Sequence, residues 1–152
     1  MNTINLVSEI QIKYLPKKGK KPIGCITTSK QAHAYIHSLF NPDTISLQEQ
    51  VVVIYLNKAS FVIGHYHCSK GGTSASIVDI KLIMAVALKC AASSIIISHN
   101  HPSGNLKPSN ADKVLTTKLK EASRFFEMEL MDHLIISASS DYYSFSDNLE
   151  IK

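Results

Sequence analysis

Residues 93–112 read SSIIISHNHPSGNLKPSNAD, and the pattern changes twice inside them. The first six residues are a short apolar, β-branched run bounded by serines, the mark of a strand buried on both faces. The run passes straight into HNHPSG, where Pro102 stiffens the chain and Gly104 supplies a tight turn. Helical periodicity then starts at Ser109 and continues to Phe126, with Leu115, Leu119, Ala122 and Phe126 along one side. A buried strand that feeds a loop and then a helix is the repeating unit of an α/β sheet, and open sheets of that kind place ligand sites at strand ends.

The same signals extend outward in both directions. Downstream, MELMDHLIIS at 128–137 predicts another strand and DYYSFSD a short final one. Upstream, Ile77, Ile80, Met84, Ala87, Leu88 and Ala91 share a helical face and predict a helix from Ser76. VVVIYL at 51–56 is apolar throughout, and ASFVIGHYH at 59–67 reads as its hairpin partner across Asn57 and Lys58, with SKGGTS as a flexible loop beyond. In KQAHAYIHSLF the helical positions are Ala32, Tyr35, Ile36 and Phe40, capped within Thr27-Thr28-Ser29 and ended by Asn41-Pro42-Asp43. VSEIQIKYL at 7–15 alternates polar and apolar residues, as an edge strand does. The order β-α-β-β-α-β-α-β-β places the chain in the α/β class, with a mixed sheet and helices on its faces. No internal repeat and no long linker divides residues 1–152, so one domain is expected.

Composition narrows the function. Of 152 residues, 45% are hydrophobic and 18% charged, which suits a folded globular chain. No run approaches the roughly 18 apolar residues of a membrane span. The N-terminal residues contain Glu9 where a secretion signal needs an unbroken apolar core. Cys25, Cys68 and Cys90 are odd in number and widely spaced, which points to a reducing, cytoplasmic setting and away from a disulfide scaffold. The net charge of +4 permits a nucleic-acid partner without demanding one. Lys17, Lys18, Lys20 and Lys21 form a basic turn, read as a solvated guard on an edge strand in preference to a phosphate contact.

The chemistry is concentrated in His99, His101, Ser109 and Asp112. On an extended segment, residues two apart share a face, so His99 and His101 can point together. With Asp112, one turn into the following helix, they make three protein ligands, the number a catalytic zinc site uses while keeping a position open. Such an ion lowers the pKa of its bound water to about 7. Taken alone, Ser109-x-x-Asp112 is a capping box and two loop histidines are often idle; the joint pattern HxHP-x6-S-x2-D is much more specific. A hydrolase also needs a proton acceptor. Only Glu9 and Glu49 precede the histidines, and Glu49, at the mouth of the apolar 51–56 strand, is the better placed, although a surface carboxylate at a strand end is the ordinary reading. His33 and His37 have the spacing of a metal pair but no third ligand, so exposed or hydrogen-bonded histidines are expected there. His65-Tyr66-His67-Cys68 also has ligand spacing, lacks a following Ser-x-x-Asp, and reads as structural. The H-x-E and P-C-x-x-C signature of zinc deaminases is absent.

The string SHNHPSGNLKPSNAD, with Glu49 upstream and LMDHLIIS and YYSFSD downstream, resembles the RadC-like branch of the JAB/MPN (JAMM) zinc metalloprotease family, best from about residue 46 to 147. The resemblance implies a three-layer α/β/α fold related to the cytidine deaminases and one zinc ion held by His99, His101 and Asp112. It implies Glu49 as general acid/base and Ser109 as hydrogen-bond partner of a tetrahedral oxyanion. The substrate class it implies is a peptide or isopeptide bond. Relatives of this branch usually carry an N-terminal helix-hairpin-helix module, for which this sequence shows no counterpart, and that lowers the expectation of DNA binding. Two other functions stand beside the peptidase: a non-catalytic binding module tied to DNA repair or mobile elements, and a phosphodiesterase. The complete ligand set disfavours the first, and the lone metal the second, since many nucleases pair metals about 3.5–4 Å apart.

Overall fold

The computed structural model describes residues 11, 14–15, 24–70 and 78–151, with the side chains of residues 69–70 left aside. Its elements are α1 (Ser29–His37), β1 (Gln50–Leu56), β2 (Val62–Lys70), α2 (Ile80–Lys89), β3 (Ser94–Asn100), α3 (Asn110–Phe125), β4 (Glu129–Ile136) and β5 (Tyr142–Ser144). The five strands form one sheet in the order β2-β1-β3-β4-β5. Only β3 and β4 run parallel; the other neighbours are antiparallel. The predicted strand at 7–15 and the four-lysine turn at 17–22 lie outside the described residues, apart from isolated positions in the former.

Strand alternation sorts the core into two layers. Val51, Val53, Tyr55, Ile95 and Ile97 pack against Ile83, Met84 and Ala87 of α2 and Leu119 of α3. Their neighbours Val52, Ile54, Leu56 and Ile96 pack against Ala32 and Ile36 of α1. Helices therefore cover both faces, and the α/β class with a three-layer arrangement stands. Both β1 and β3 are buried along their whole length, which is why each reads as an unbroken apolar run.

β4 keeps a different rhythm. Ile95 pairs with Leu130 but Ile96 pairs with Asp132, so Met131 is an extra residue on the β4 side. Leu130 faces the α2/α3 layer and Met131 the α1 layer. After the extra residue the alternation resumes one step out of phase, and His133, opposite Ile97, returns to the α3 side.

Several local expectations are corrected. The second helix starts at Ile80, not Ser76, because Asp79 is extended and its carboxylate accepts from the Lys81 amide as N-cap. Its buried face is Ile83, Met84 and Ala87, while Leu88 is 46% exposed. Ala91 lies past the helix end in the left-handed region, with φ 50°. Phe126, expected on the buried side of α3, is its exposed C-cap. Of the loop expected at SKGGTS, Ser69 and Lys70 belong to β2, and the rest lies outside the described residues. In α1 the N-cap is Thr28, in a capping box with Gln31. His33 and His37 depart from the exposed or hydrogen-bonded histidines expected: the Nε2 atoms of both are buried with no hydrogen-bond partner among the described residues, and His33 stacks on Tyr142 at 4.5 Å. Among the described residues, no helix is long and apolar enough to cross a membrane.

Candidate metal centre

The site grows from the end of β3. Because successive side chains in a strand point to opposite faces, His99 and His101 project toward α3 and Asn100 away from it. His101 lies one residue beyond the strand, and its amide still donates to the Ile136 carbonyl at 2.9 Å, so the extended path continues through both histidines. The chain then turns back through Gly104, whose φ of 81° suits glycine. That turn brings the Asn105 carbonyl onto His101 Nδ1. A carbonyl only accepts, so His101 carries its proton on Nδ1 and turns a bare Nε2 inward.

Ser109 starts α3 as N-cap, accepting from the Asp112 amide at 3.1 Å, while Asp112 Oδ2 accepts from the Ser109 amide and hydroxyl, each at 2.7 Å. This capping box fixes the rotamer of Asp112 and aims its carboxylate at the histidines. His99 Nε2 lies 3.0 Å from His101 Nε2 and 3.1 Å from Asp112 Oδ1, and His101 Nε2 lies 3.6 Å from Asp112 Oδ2. Among the described residues, His99, His101 and Asp112 are the one group of three or more ligating side chains gathered closely enough for a metal ion. His99 is buried, whereas His101 is part-exposed, so the cluster has an inner wall and an open side.

The electrostatics match the geometry. Burial opposes the charge on Asp112, but the neighbouring His101 and His99 imidazoles and the Ser109 hydroxyl outweigh it and hold the carboxyl well below the usual range. The Asp112 carboxylate beside it raises the basicity of His101 against its partial burial, and the Asn105 carbonyl at Nδ1 and the charge of Glu49 add to it. Two imidazole nitrogens and a carboxylate oxygen are the donor set that suits zinc, so the residues present fit such an ion.

Glu49 stands half-buried one residue before β1. Val51 pairs with His99 across the antiparallel β1–β3 ladder, so the chain two residues earlier runs beside His101. Its position is held by Asn100. The buried amide of Asn100 accepts from the Gln50 N–H at 2.7 Å and donates to the carbonyls of Ile45 at 2.6 Å and Gln48 at 2.8 Å. The middle residue of HNH thus ties the Glu49 loop to the strand that carries the histidines.

The sequence profile of the RadC-like JAB domain family matches residues 26–150. The chain belongs to the RadC-like JAB domain family. It is 39% identical over 122 residues to a UPF0758 protein of Flavobacterium johnsoniae, covering 80% of this chain and 52% of that protein. A UPF0758 protein of Porphyromonas gingivalis is 38% identical over the same shares, and one of Streptococcus suis is 40% identical over 104 residues, 68% of this chain and 42% of that protein. The chain thus spans about half the length of these curated relatives.

Within this RadC-like JAB domain, the structure brings His99, His101 and Asp112 together, sets Ser109 against Asp112 and places Glu49 at the same end of the sheet. His65 and His67 sit apart on β2, exposed, with rings 5.5 Å apart. Sequence reasoning missed three buried polar residues around the site: Asn100, Thr116 and His133. Asn100 could have been flagged, since a polar residue between two inward histidines must bury on the other face. Thr116 sits one turn after Asp112, a weak signal. His133 is masked by the extra residue in β4.

Proposed function

We propose that this RadC-like JAB domain is a zinc-dependent hydrolase acting on amide bonds of peptide or protein substrates. The observation that supports it is the convergence of His99 Nε2, His101 Nε2 and the Asp112 carboxylate within 3.0–3.6 Å at an open strand end. Three protein ligands are what a catalytic zinc site uses, with one position left for chemistry. A zinc ion held there supplies Lewis acidity, which makes a nucleophile of water at neutral pH.

The chain's own residues supply the rest. Glu49 accepts a proton at the mouth of the site and returns it to the leaving amine, a general acid–base role worth about 10²–10⁴ in rate. The Ser109 hydroxyl, bonded to Asp112 Oδ2 in the resting structure, turns toward the substrate oxygen as charge develops there. Asn100 keeps the Glu49 loop in register with the histidines.

The test begins with metal content. The purified chain is expected to hold one zinc, and His101→Ala to lose it. Glu49→Gln is expected to keep the zinc while cleavage of a peptide or isopeptide library falls by about 10²–10⁴. A wild-type chain without stoichiometric zinc, and unaffected by His101→Ala, sinks the proposal.

A further inference from the structure

Behind His99 lies a second histidine that the hydrolytic reading does not use. His133, on β4, is fully buried and stacks on Phe145, with ring centroids 4.7 Å apart and planes 8° apart. Its Nε2 lies 2.8 Å from His99 Nδ1, and its Nδ1 lies 2.6 Å from Thr116 Oγ1. Thr116 Oγ1 in turn lies 2.7 Å from the main-chain carbonyl oxygen of Asp112.

The order of protons along this chain follows from its far end. A carbonyl only accepts, so the Thr116 hydroxyl donates to Asp112 O. The hydroxyl oxygen must then accept from His133, which carries its proton on Nδ1. With that proton committed to Thr116, and no acidic partner among the described residues facing its ring at this fully buried position, the uncharged imidazole presents a lone pair at Nε2, which faces His99 Nδ1 at 2.8 Å. That lone pair takes a hydrogen bond from His99 Nδ1–H. His99 is left with a bare Nε2, which points at His101 and Asp112.

We propose that His133 and Thr116 are positioning residues: they lock His99 in the tautomer whose Nε2 can bind a cation, and they join that ligand to the helical turn carrying Asp112. The connections close on themselves. One arm runs from His99 through His133 and Thr116 to the Asp112 carbonyl; the other would be completed by a cation held between the Asp112 carboxylate and His99 Nε2, which lie 3.1 Å apart. Ligands from a strand and from a helix are set by one network, so a slip of either element disturbs both. Hydrogen bonds of this kind orient ligating imidazoles and fix their tautomers, and losing one typically lowers metal affinity 10–100-fold. The inference rests on the reading of His99, His101 and Asp112 as a metal centre, and its test separates the two.

The experiment uses the full chain. Zinc affinity is measured by competition with a chromophoric chelator for wild type, Thr116→Val and Thr116→Ser, and the imidazole tautomers are read by ¹⁵N NMR with and without zinc. Thr116→Val keeps the shape but removes the hydroxyl, and is expected to bind zinc about 10–100-fold more weakly, whereas Thr116→Ser stays close to wild type. In the wild-type spectra, His99 and His133 are both expected to carry their proton on Nδ1. Equal affinity in Thr116→Val, or a proton on His133 Nε2, overturns the inference. If the wild-type chain takes up no zinc, the metal-centre reading fails, and the metal-free spectrum still decides the proton order without any variant.

Discussion

Replacing Asn100 by Ala removes the tie between the Glu49 loop and β3, and the structure says what that costs. Three hydrogen bonds of 2.6–2.8 Å disappear at a completely buried position. The Gln48 carbonyl belongs to an exposed residue and can turn to water, but the Ile45 carbonyl and the Gln50 amide belong to buried ones. Leaving a buried polar group unpaired costs about 1–3 kcal/mol, so two of them give about 2–6 kcal/mol. That is a large part of the roughly 5–15 kcal/mol that holds a domain folded. In urea, with a slope of about 2 kcal/mol/M, the midpoint falls by about 1–3 M. Hydrogen exchange supplies the local readout: the Gln50 amide, which donates to Asn100 Oδ1, loses protection ahead of its β1 neighbours. Asn100→Asp is expected to be no milder, because it turns a carboxylate oxygen toward two carbonyls that need donors. A loss of stability below about 1 kcal/mol with unchanged Gln50 protection would refute the reasoning.

Three further outcomes are expected. Ser109→Ala removes the N-cap of α3 and is expected to lower stability by about 0.5–2 kcal/mol in thermal unfolding; an unchanged Tm would mean the hydroxyl is not capping. Ala91→Gly relieves a left-handed residue at φ 50° and is expected to raise stability by about 1 kcal/mol, or about 2–4 °C in Tm, whereas a drop would show that the methyl group packs. Burial pushes the Cys68 thiol up to about 12, so about one part in 10⁴ is thiolate at pH 8. Its alkylation by iodoacetamide should lag behind that of exposed Cys25 and rise about tenfold per pH unit up to pH 10, as mapped by mass spectrometry; a rate equal to that of Cys25 at pH 8 would contradict the burial.

What could be read in the linear chain depended on how locally each feature is written. β1 and β3 were legible because burial on both faces demands an uninterrupted apolar string, and few other structures do. The ligand cluster was legible because its three members lie within fourteen residues, on one strand end and the helix that follows. Helix starts were less legible. Residues 76–79 continue the apolar period of α2, and only the backbone of Asp79 shows where the first turn is capped. Phe126 kept the helical period of α3 but falls at its C-cap, where the face it would share has ended. His133 was out of reach for another reason. Its partner His99 is 34 residues away, and an unbroken period of two from Leu130 would put His133 on the opposite face; only the extra residue at Met131 brings it round to His99. His33 and His37 were misjudged because helical spacing says nothing of what covers a ring; here Tyr142, 109 residues from His33, stacks on it.

That same extra residue gives two adjacent side chains opposite duties. Asp132, on the α1 side, accepts from the Ser144 hydroxyl and the Ser146 amide, while His133, on the other side, lies flat on Phe145, whose amide donates to the His133 carbonyl at 3.1 Å. Residues 144–146 therefore grip the dipeptide from above and below like a clasp. A shortened form of the protein that stops before Ser144 would keep every ligand, yet it would strip the backing from the imidazole behind His99 and strand a buried acid. The tail end of the chain, far from the HNH segment in sequence, is in this sense part of the centre's foundation.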